Sequence, residues 1–258
     1  MDKRRYDGYI FDLDGTIYLG DRLIPGAGDT IARLRSRGAQ VVFLSNKPLE
    51  PRSSYAAKLT RLGIPATSED VINSTQALIV LLQEAEPGAR LYVVGETKLI
   101  HELREAGFTV RMQPDDVDVV VASFDRTLDY TKLNMAHQAL KKGARLYATN
   151  GDRTCPVQGG EIPDCAGVIA FLQATTGCTL VATAGKPSAH ILQAALQRLG
   201  VPAERCLMVG DRLATDIQMG VTAGIDTALV LSGVTHASDL ASSPVKPSFV
   251  LPSVASIP

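Results

Sequence analysis

Signals for zinc, membranes and polyanions are all missing from this chain. Its four cysteines, Cys155, Cys165, Cys178 and Cys206, form no Cys-x-x-Cys pair. Its four histidines, His101, His137, His190 and His236, show neither His-Glu-x-x-His nor finger-like spacing. These gaps argue against a structural zinc site and leave reduced thiols as the expectation. No apolar run approaches the roughly 18 residues that a membrane-spanning helix requires. The opening Met1-Asp2-Lys3-Arg4-Arg5 leads straight into a strand-like run, without the apolar stretch and cleavage site of a signal peptide. A cytoplasmic location is therefore expected. Neither sign of charge dominates: 26 Lys and Arg against 27 Asp and Glu give a net charge of −1, with no long charged block. Nothing here suggests a nucleic-acid or anionic-lipid partner.

What is present is ordinary globular material, 258 residues with 45% hydrophobic and 21% charged. That length accommodates one large domain or two moderate ones. One phrase recurs: a helix-like stretch, a glycine, then an apolar run. It reads Leu34-Arg35-Ser36-Arg37-Gly38 before Val41–Leu44, and Leu103-Arg104-Glu105-Ala106-Gly107 before Phe108–Val110. It returns at Gly143 before Leu146–Ala148 and at Gly200 before Cys206–Val209. Glycine just past a helix suits a left-handed cap, and short continuously apolar strands alternating with helices imply a parallel sheet covered on both faces. Further strands are predicted at 91–94, 117–122, 179–182 and 227–231. Helices are predicted at about 27–37, 51–62, 74–85, 97–106, 131–142, 164–175, 187–199 and 213–222.

Four segments carry chemistry, each where a strand-like run ends or a helix begins. In Ile10-Phe11-Asp12-Leu13-Asp14-Gly15-Thr16, two acids follow an apolar run. If the run is a strand, alternation puts Asp12 and Asp14 on one side. Such neighbours repel unless a cation or proton intervenes; Mg²⁺ would resolve the conflict and accept phosphate oxygens. One acid could then attack phosphorus while the other handles the leaving group's proton. In Val41–Leu44 followed by Ser45-Asn46-Lys47-Pro48, the hydroxyl, the amide and nearby N–H groups could hold phosphate oxygens. In Ala184-Gly185-Lys186-Pro187-Ser188, a lysine is placed at the start of a helix. Like charge there is unfavourable by about 0.3–1 kcal/mol, and a bound anion would account for it. In Met208-Val209-Gly210-Asp211, another strand ends in an acid. Asp216 is expected in the first turn of the next helix, completing a carboxylate nest that suits a hard cation.

The content and order of these segments resemble the haloacid dehalogenase superfamily. Its motifs correspond here to Asp12-Leu13-Asp14-Gly15-Thr16, Ser45, Lys186, and Gly210-Asp211 with Thr215-Asp216. Asp14 to Gly20, Gly185-Lys186-Pro187 and Gly210 to Ile217 look like the NagD-like, 4-nitrophenylphosphatase branch. The resemblance implies a Rossmann-like core with a large inserted α/β cap, and a Mg²⁺-dependent phosphatase acting on small phosphate monoesters. It implies Asp12 as nucleophile, Asp14 as acid and base, and Ser45 and Lys186 on the phosphoryl oxygens. Asp12, the Asp14 carbonyl, Asp211 and, through water, Asp216 would hold the metal. Thr16 would orient the Gly15-Thr16 loop and Asp14 at the phosphate. Lys47, where many branch members carry asparagine, adds a cation that either favours more anionic substrates or simply faces solvent. The cap segment Ala148-Thr149-Asn150-Gly151-Asp152 is similar to the branch's substrate-facing loop, which marks Asn150 and Asp152 as substrate contacts. A homodimer through the cap is a further implication.

Roughly 140 residues separate Lys47 from Lys186, too many for one crossover or one unstructured loop, so the gap should hold a second domain. The expected division is a discontinuous core of residues 1–79 and 180–258 around a cap of 80–179. Two rival functions remain. A non-catalytic relative would bind a phosphorylated metabolite, yet every chemistry-bearing position is filled. A phosphotransferase would pass the aspartyl-phosphate to a hydroxyl. Mutases of the superfamily usually carry a small helical cap early in the chain, where Thr16 to Leu44 leaves room for one helix. Nucleoside monophosphates, sugar phosphates and esters of the 4-nitrophenyl phosphate type all remain open as substrates.

Overall fold

Every residue of the strand Gly8–Asp12 is buried, because this strand lies inside a parallel sheet and has neighbours on both sides. The computed structural model describes residues 6–157 and 159–258, so the basic opening segment lies outside the described residues. The chain divides into two compact units. The first runs up to Ser45 and includes Arg52–Ile72 and Pro187–Pro258; the second comprises Asn46–Pro51 and Asn73–Lys186.

The first unit carries a sheet of six strands in the order Phe249–Leu251, Asp226–Val230, Cys206–Gly210, Gly8–Asp12, Gln40–Ser45 and Val71–Asn73. Gly8–Asp12 pairs in parallel with both flanking strands, Phe11 standing beside Val209 and Phe43. Alternation sends Tyr9, Phe11, Val41 and Phe43 to one face, where Ile31 and Leu34 of helix Ala27–Ser36 and Tyr55 and Leu59 of helix Arg52–Arg61 join them. Ile10, Val42 and Leu44 alternate to the other face and are equally buried. Helix Ala189–Leu199, which packs on Gln40–Ser45, contributes Ile191, Leu192 and Ala195. From Gly8–Asp12 the chain adds strands in one direction, then returns with Cys206–Gly210 and adds them in the other. That reversal is a topological switch point, where open α/β sheets form ligand crevices at their carboxyl edge.

The second unit repeats the principle with five parallel strands, in the order Leu180–Thr183, Arg145–Ala148, Val119–Ala122, Arg90–Val94 and Thr109–Val110. One face gathers Tyr92, Val94, Val120, Ala122, Leu146 and Ala148 against the helices Tyr130–Lys141 and Cys165–Thr176. Helix Ser74–Ala85 belongs wholly to this unit, and a division after residue 79 would cut it. Its end is fixed by buried Glu86, which accepts a 2.6 Å hydrogen bond from Tyr147 and pairs with Arg145.

Both sheets arise from the strand and helix pattern of the sequence, and most element bounds agree to within one or two residues. The exceptions have physical causes. Val71–Asn73 and Phe249–Leu251 are too short to display a period. Two hairpins, Tyr18–Leu19 with Arg22–Leu23 and Thr154–Val157 with Gly160–Pro163, interrupt stretches read as loop. The predicted helix 213–222 is a π-turn over Leu213–Ile217 followed by a short α-helix Gln218–Thr222. Among the described residues no helix is long and apolar enough to cross a membrane. All four cysteines are free thiols.

Two outcomes are expected. Phe43 is fully buried beneath Phe11 and the Arg35 guanidinium. Phe43→Ala should therefore lower unfolding stability by about 3–5 kcal/mol in denaturant titration. Hydrogen bonds from the Arg90 guanidinium, then from its backbone N–H, hold the Asp118 carboxyl down at about 2. A depressed carboxyl stabilises the fold above its unfolded pKa of about 4, and that contribution disappears as pH falls through about 2. Asp118→Asn should thus be less stable than the parent at pH 6, by far less than Phe43→Ala because the pair is exposed. The gap between the melting temperatures of parent and variant should close as pH approaches 2.

Candidate active site

At the carboxyl edge of the first sheet, Asp12 ends its strand and is 7% exposed. The strand stops there, so Asp14 is placed by the following turn and not by strand alternation. Leu13 O accepts from the N–H groups of Thr16, Ile17 and Tyr18, and Gly15 N–H donates to Tyr18 O at 2.8 Å. Gly15 sits at φ +89°, and a Cβ there would lie 2.6 Å from Asp211 Oδ2. Only glycine satisfies both the turn and the close approach. Thr16 is fully buried, and its hydroxyl makes no hydrogen bond to any described residue. Any orienting of the turn and Asp14 by Thr16 would therefore come from its packing and backbone.

Asp211 follows the central strand Cys206–Gly210, next to Gly8–Asp12 across the switch point. Its Oδ2 accepts from Val234 N–H at 2.6 Å, and Thr235 N–H donates to its carbonyl. Asp216 reaches the same place from the π-turn Leu213–Ile217, whose extra residue per turn swings the side chain back towards Gly210. Arg212 N–H donates to Asp216 Oδ2 at 3.0 Å, and a Cβ on Gly210 would stand 2.3 Å from the Asp216 carboxyl carbon. The glycine makes room for the acid.

Asp12, Asp211 and Asp216 consequently present carboxylate oxygens all within 4.8 Å of one another, and all three residues are buried. At an effective dielectric near 20, each such pair of charges repels by at least about 3 kcal/mol. A divalent cation removes that cost, and all-oxygen donors suit a hard ion. These residues fit a metal. The carboxylate of Asp14, half-buried in its turn, is outside this cluster. Ser45, 2% exposed, ends the adjoining strand Gln40–Ser45 within the same unit.

The remaining expected site residues fall in the second unit. Lys186 is 3% exposed and lies in a turn after the strand Leu180–Thr183. The following helix starts at Ala189 with Ser188 as its cap, so Lys186 stands just ahead of the helix and not within its first turn. Asn46, expected to hold phosphate, instead directs its side chain at protein. Its Nδ2 donates to Asp152 Oδ2 at 2.9 Å and to Lys186 O at 3.1 Å, while Oδ1 accepts from Lys186 N–H at 2.7 Å. Asn150 is fully buried: it donates to Asn46 O and accepts from Asp152 N–H. These two bonds make Asn150 part of the framework that holds Asn46. Asp152 and Lys47 are partly exposed.

Sequence reasoning missed the loop Ser232-Gly233-Val234. Ser232 donates to Gly15 O at 2.7 Å, and a Cβ on Gly233 would lie 2.0 Å from Asp211 Oδ2. A signal was present, because the loop follows another apolar strand at the same carboxyl edge.

Comparison with known proteins agrees with this geometry. The family model described as haloacid dehalogenase-like hydrolase matches residues 9–109, and a second, described as HAD-hydrolase-like, matches 183–257. The chain is 37% identical over 226 residues to the sugar-phosphatase AraL of Bacillus subtilis, spanning 88% of this chain and 83% of the relative. It is 34% identical over 251 residues to the 5′-nucleotidase YutF of the same organism, covering 97% of each. Among solved structures, the 4-nitrophenylphosphatase of Thermotoga maritima superposes with a TM-score of 0.91 at 33% identity, covering 97% of this chain and 95% of that one. NagD of E. coli K-12 gives 0.89 at 33% identity, covering 98% and 99%. With that agreement over nearly its whole length, the chain belongs to the haloacid dehalogenase-like hydrolases, in their NagD-like branch.

Proposed function

We propose that this protein is a Mg²⁺-dependent phosphatase that hydrolyses small phosphate monoesters through an aspartyl-phosphate. The observation that carries the reading is the buried triad Asp12, Asp211 and Asp216, gathered within 4.8 Å at the switch point of a parallel sheet. These three, with the Asp14 carbonyl, would hold the ion. When bound, it supplies positive charge that offsets the repulsion between carboxylate and phosphate.

The protein's own groups do the rest. An Asp12 carboxylate oxygen attacks phosphorus, and the bond from phosphorus to the ester oxygen breaks. Asp14 gives its proton to the departing alkoxide. Asp14 then takes a proton from water, whose oxygen attacks phosphorus and breaks the bond to Asp12, releasing inorganic phosphate. Ser45 donates to the phosphoryl oxygens, and Lys186 neutralises charge that spreads over them during transfer. The backbone around Gly15 and Thr16 shapes the floor of the loop. The relatives' names, a sugar phosphatase, a 5′-nucleotidase and a 4-nitrophenylphosphatase, support sugar phosphates and nucleoside monophosphates as the substrate range. Lys47 adds a cation that favours the more anionic members.

Purified protein should hydrolyse 4-nitrophenyl phosphate with Mg²⁺, lose activity in EDTA and recover it when Mg²⁺ is restored. Asp12→Asn should cost about a thousandfold or more in kcat while the protein stays folded. In ¹⁸O-labelled water one labelled oxygen should enter each released phosphate, as hydrolysis requires. Unchanged turnover by Asp12→Asn would refute the mechanism. Gly233→Ala must displace either the loop or Asp211. It should raise the Mg²⁺ concentration needed for half-maximal activity by about 10–100-fold, in line with other partners of metal ligands.

A further inference from the structure

Asn46 follows Ser45 directly, yet the polar capacity of its side chain is spent on holding other groups of its own unit. A primary amide offers two N–H donors and one carbonyl acceptor. Here one donor goes to Lys186 O, the other to Asp152 Oδ2, and the acceptor takes Lys186 N–H. The amide thus grips both backbone groups of the lysine, as a neighbouring strand would. No donor is left over for a phosphoryl oxygen.

The surroundings are built for this grip. A Cβ on Gly185 would come within 2.6 Å of Asn46 Oδ1 and 2.8 Å of Thr149 O, so the residue before the lysine must lack a side chain for the amide to approach. Gly185 N–H donates to Thr149 O at 2.7 Å, which fixes the loop from its other side. Asn46 is itself held by its carbonyl, which accepts from Ser74 Oγ at 2.7 Å and from Asn150 Nδ2 at 3.1 Å. Asn150 Oδ1 in turn accepts from Asp152 N–H at 3.0 Å. Ser74 and Asn150 are fully buried. A lysine side chain has four flexible methylenes, so the position of its ammonium depends on how firmly its backbone is anchored.

We infer that Asn46 is a positioning residue, an amide clamp that acts on the reaction through Lys186 and not by touching the substrate. The inference rests on the proposed function in taking Lys186 to act on the phosphoryl group. A positioning residue loses its effect once the group it positions is gone, whereas an independent phosphate ligand does not.

The test is a double-mutant cycle on the full-length protein with Mg²⁺ and 4-nitrophenyl phosphate. It compares kcat/KM for the parent, Asn46→Ala, Lys186→Ala and the double variant. Asn46→Ala should lower kcat/KM by about 10–100-fold in the parent. It should change it by less than about threefold in the Lys186→Ala background. An equal loss in both backgrounds would overturn the clamp, and a merely structural defect would also give that result. If Lys186→Ala keeps full activity, the functional reading of Lys186 fails instead. Where turnover of the lysine variant is too slow to time, dissociation constants for inorganic phosphate, measured by calorimetry with Mg²⁺ present, replace kcat/KM in the same cycle. Asn46→Asp, equal in shape but unable to donate, covers the case in which the alanine variant does not fold. It should show the same loss and the same coupling to Lys186.

Discussion

Mutual repulsion among three buried carboxylates is the constraint that organises the first unit. Asp12, Asp211 and Asp216 would move apart if the chain around them could relax. It cannot, since each is held from a different direction. Asp12 is fixed by a strand paired on both sides, Asp211 by the Val234 N–H, and Asp216 by the Arg212 N–H at the start of a π-turn. The sheet's reversal of direction brings the first two together, and the wider turn delivers the third. Rigidity here serves binding: a site held open against its own charge gains the full attraction of an arriving cation.

Much of this was legible before any coordinates. The apolar runs ending in Asp12, Ser45 and Asp211 announced strands whose carboxyl ends share an edge, because buried parallel strands need continuous hydrophobicity and their polar caps must lie beyond it. Lys186 stood out for its place ahead of a helical pattern. Other features were not legible, for identifiable reasons. The position of Asp14 depends on where the strand stops, and one residue decides whether alternation applies. The π-turn has no periodicity of its own. Asn46 reads as a phosphate ligand from its type and neighbours, and only the approach of Lys186, distant in sequence, shows where its amide goes.

The two compact units solve the same problem in different materials. In the first, backbone N–H groups steady carboxylates; in the second, a side-chain amide steadies the backbone of a cation. Both depend on parallel sheets whose loops emerge at the carboxyl edge, so that rigid strands set the starting points of residues that must be accurately placed. The buried Glu86 with Tyr147 and Arg145 supports the second sheet where helix Ser74–Ala85 ends. There it completes a frame whose other end carries Asn150 and Asp152.

Gly15, Gly210 and Gly233 each face an acidic oxygen or carbon at a distance no β-carbon could occupy. Every alternative amino acid adds at least that one atom, so at these three positions no larger, greasier or charged side chain fits beside Asp211 and Asp216 unless something gives way. Exchange there retunes the chemistry by moving the main chain or the acid itself.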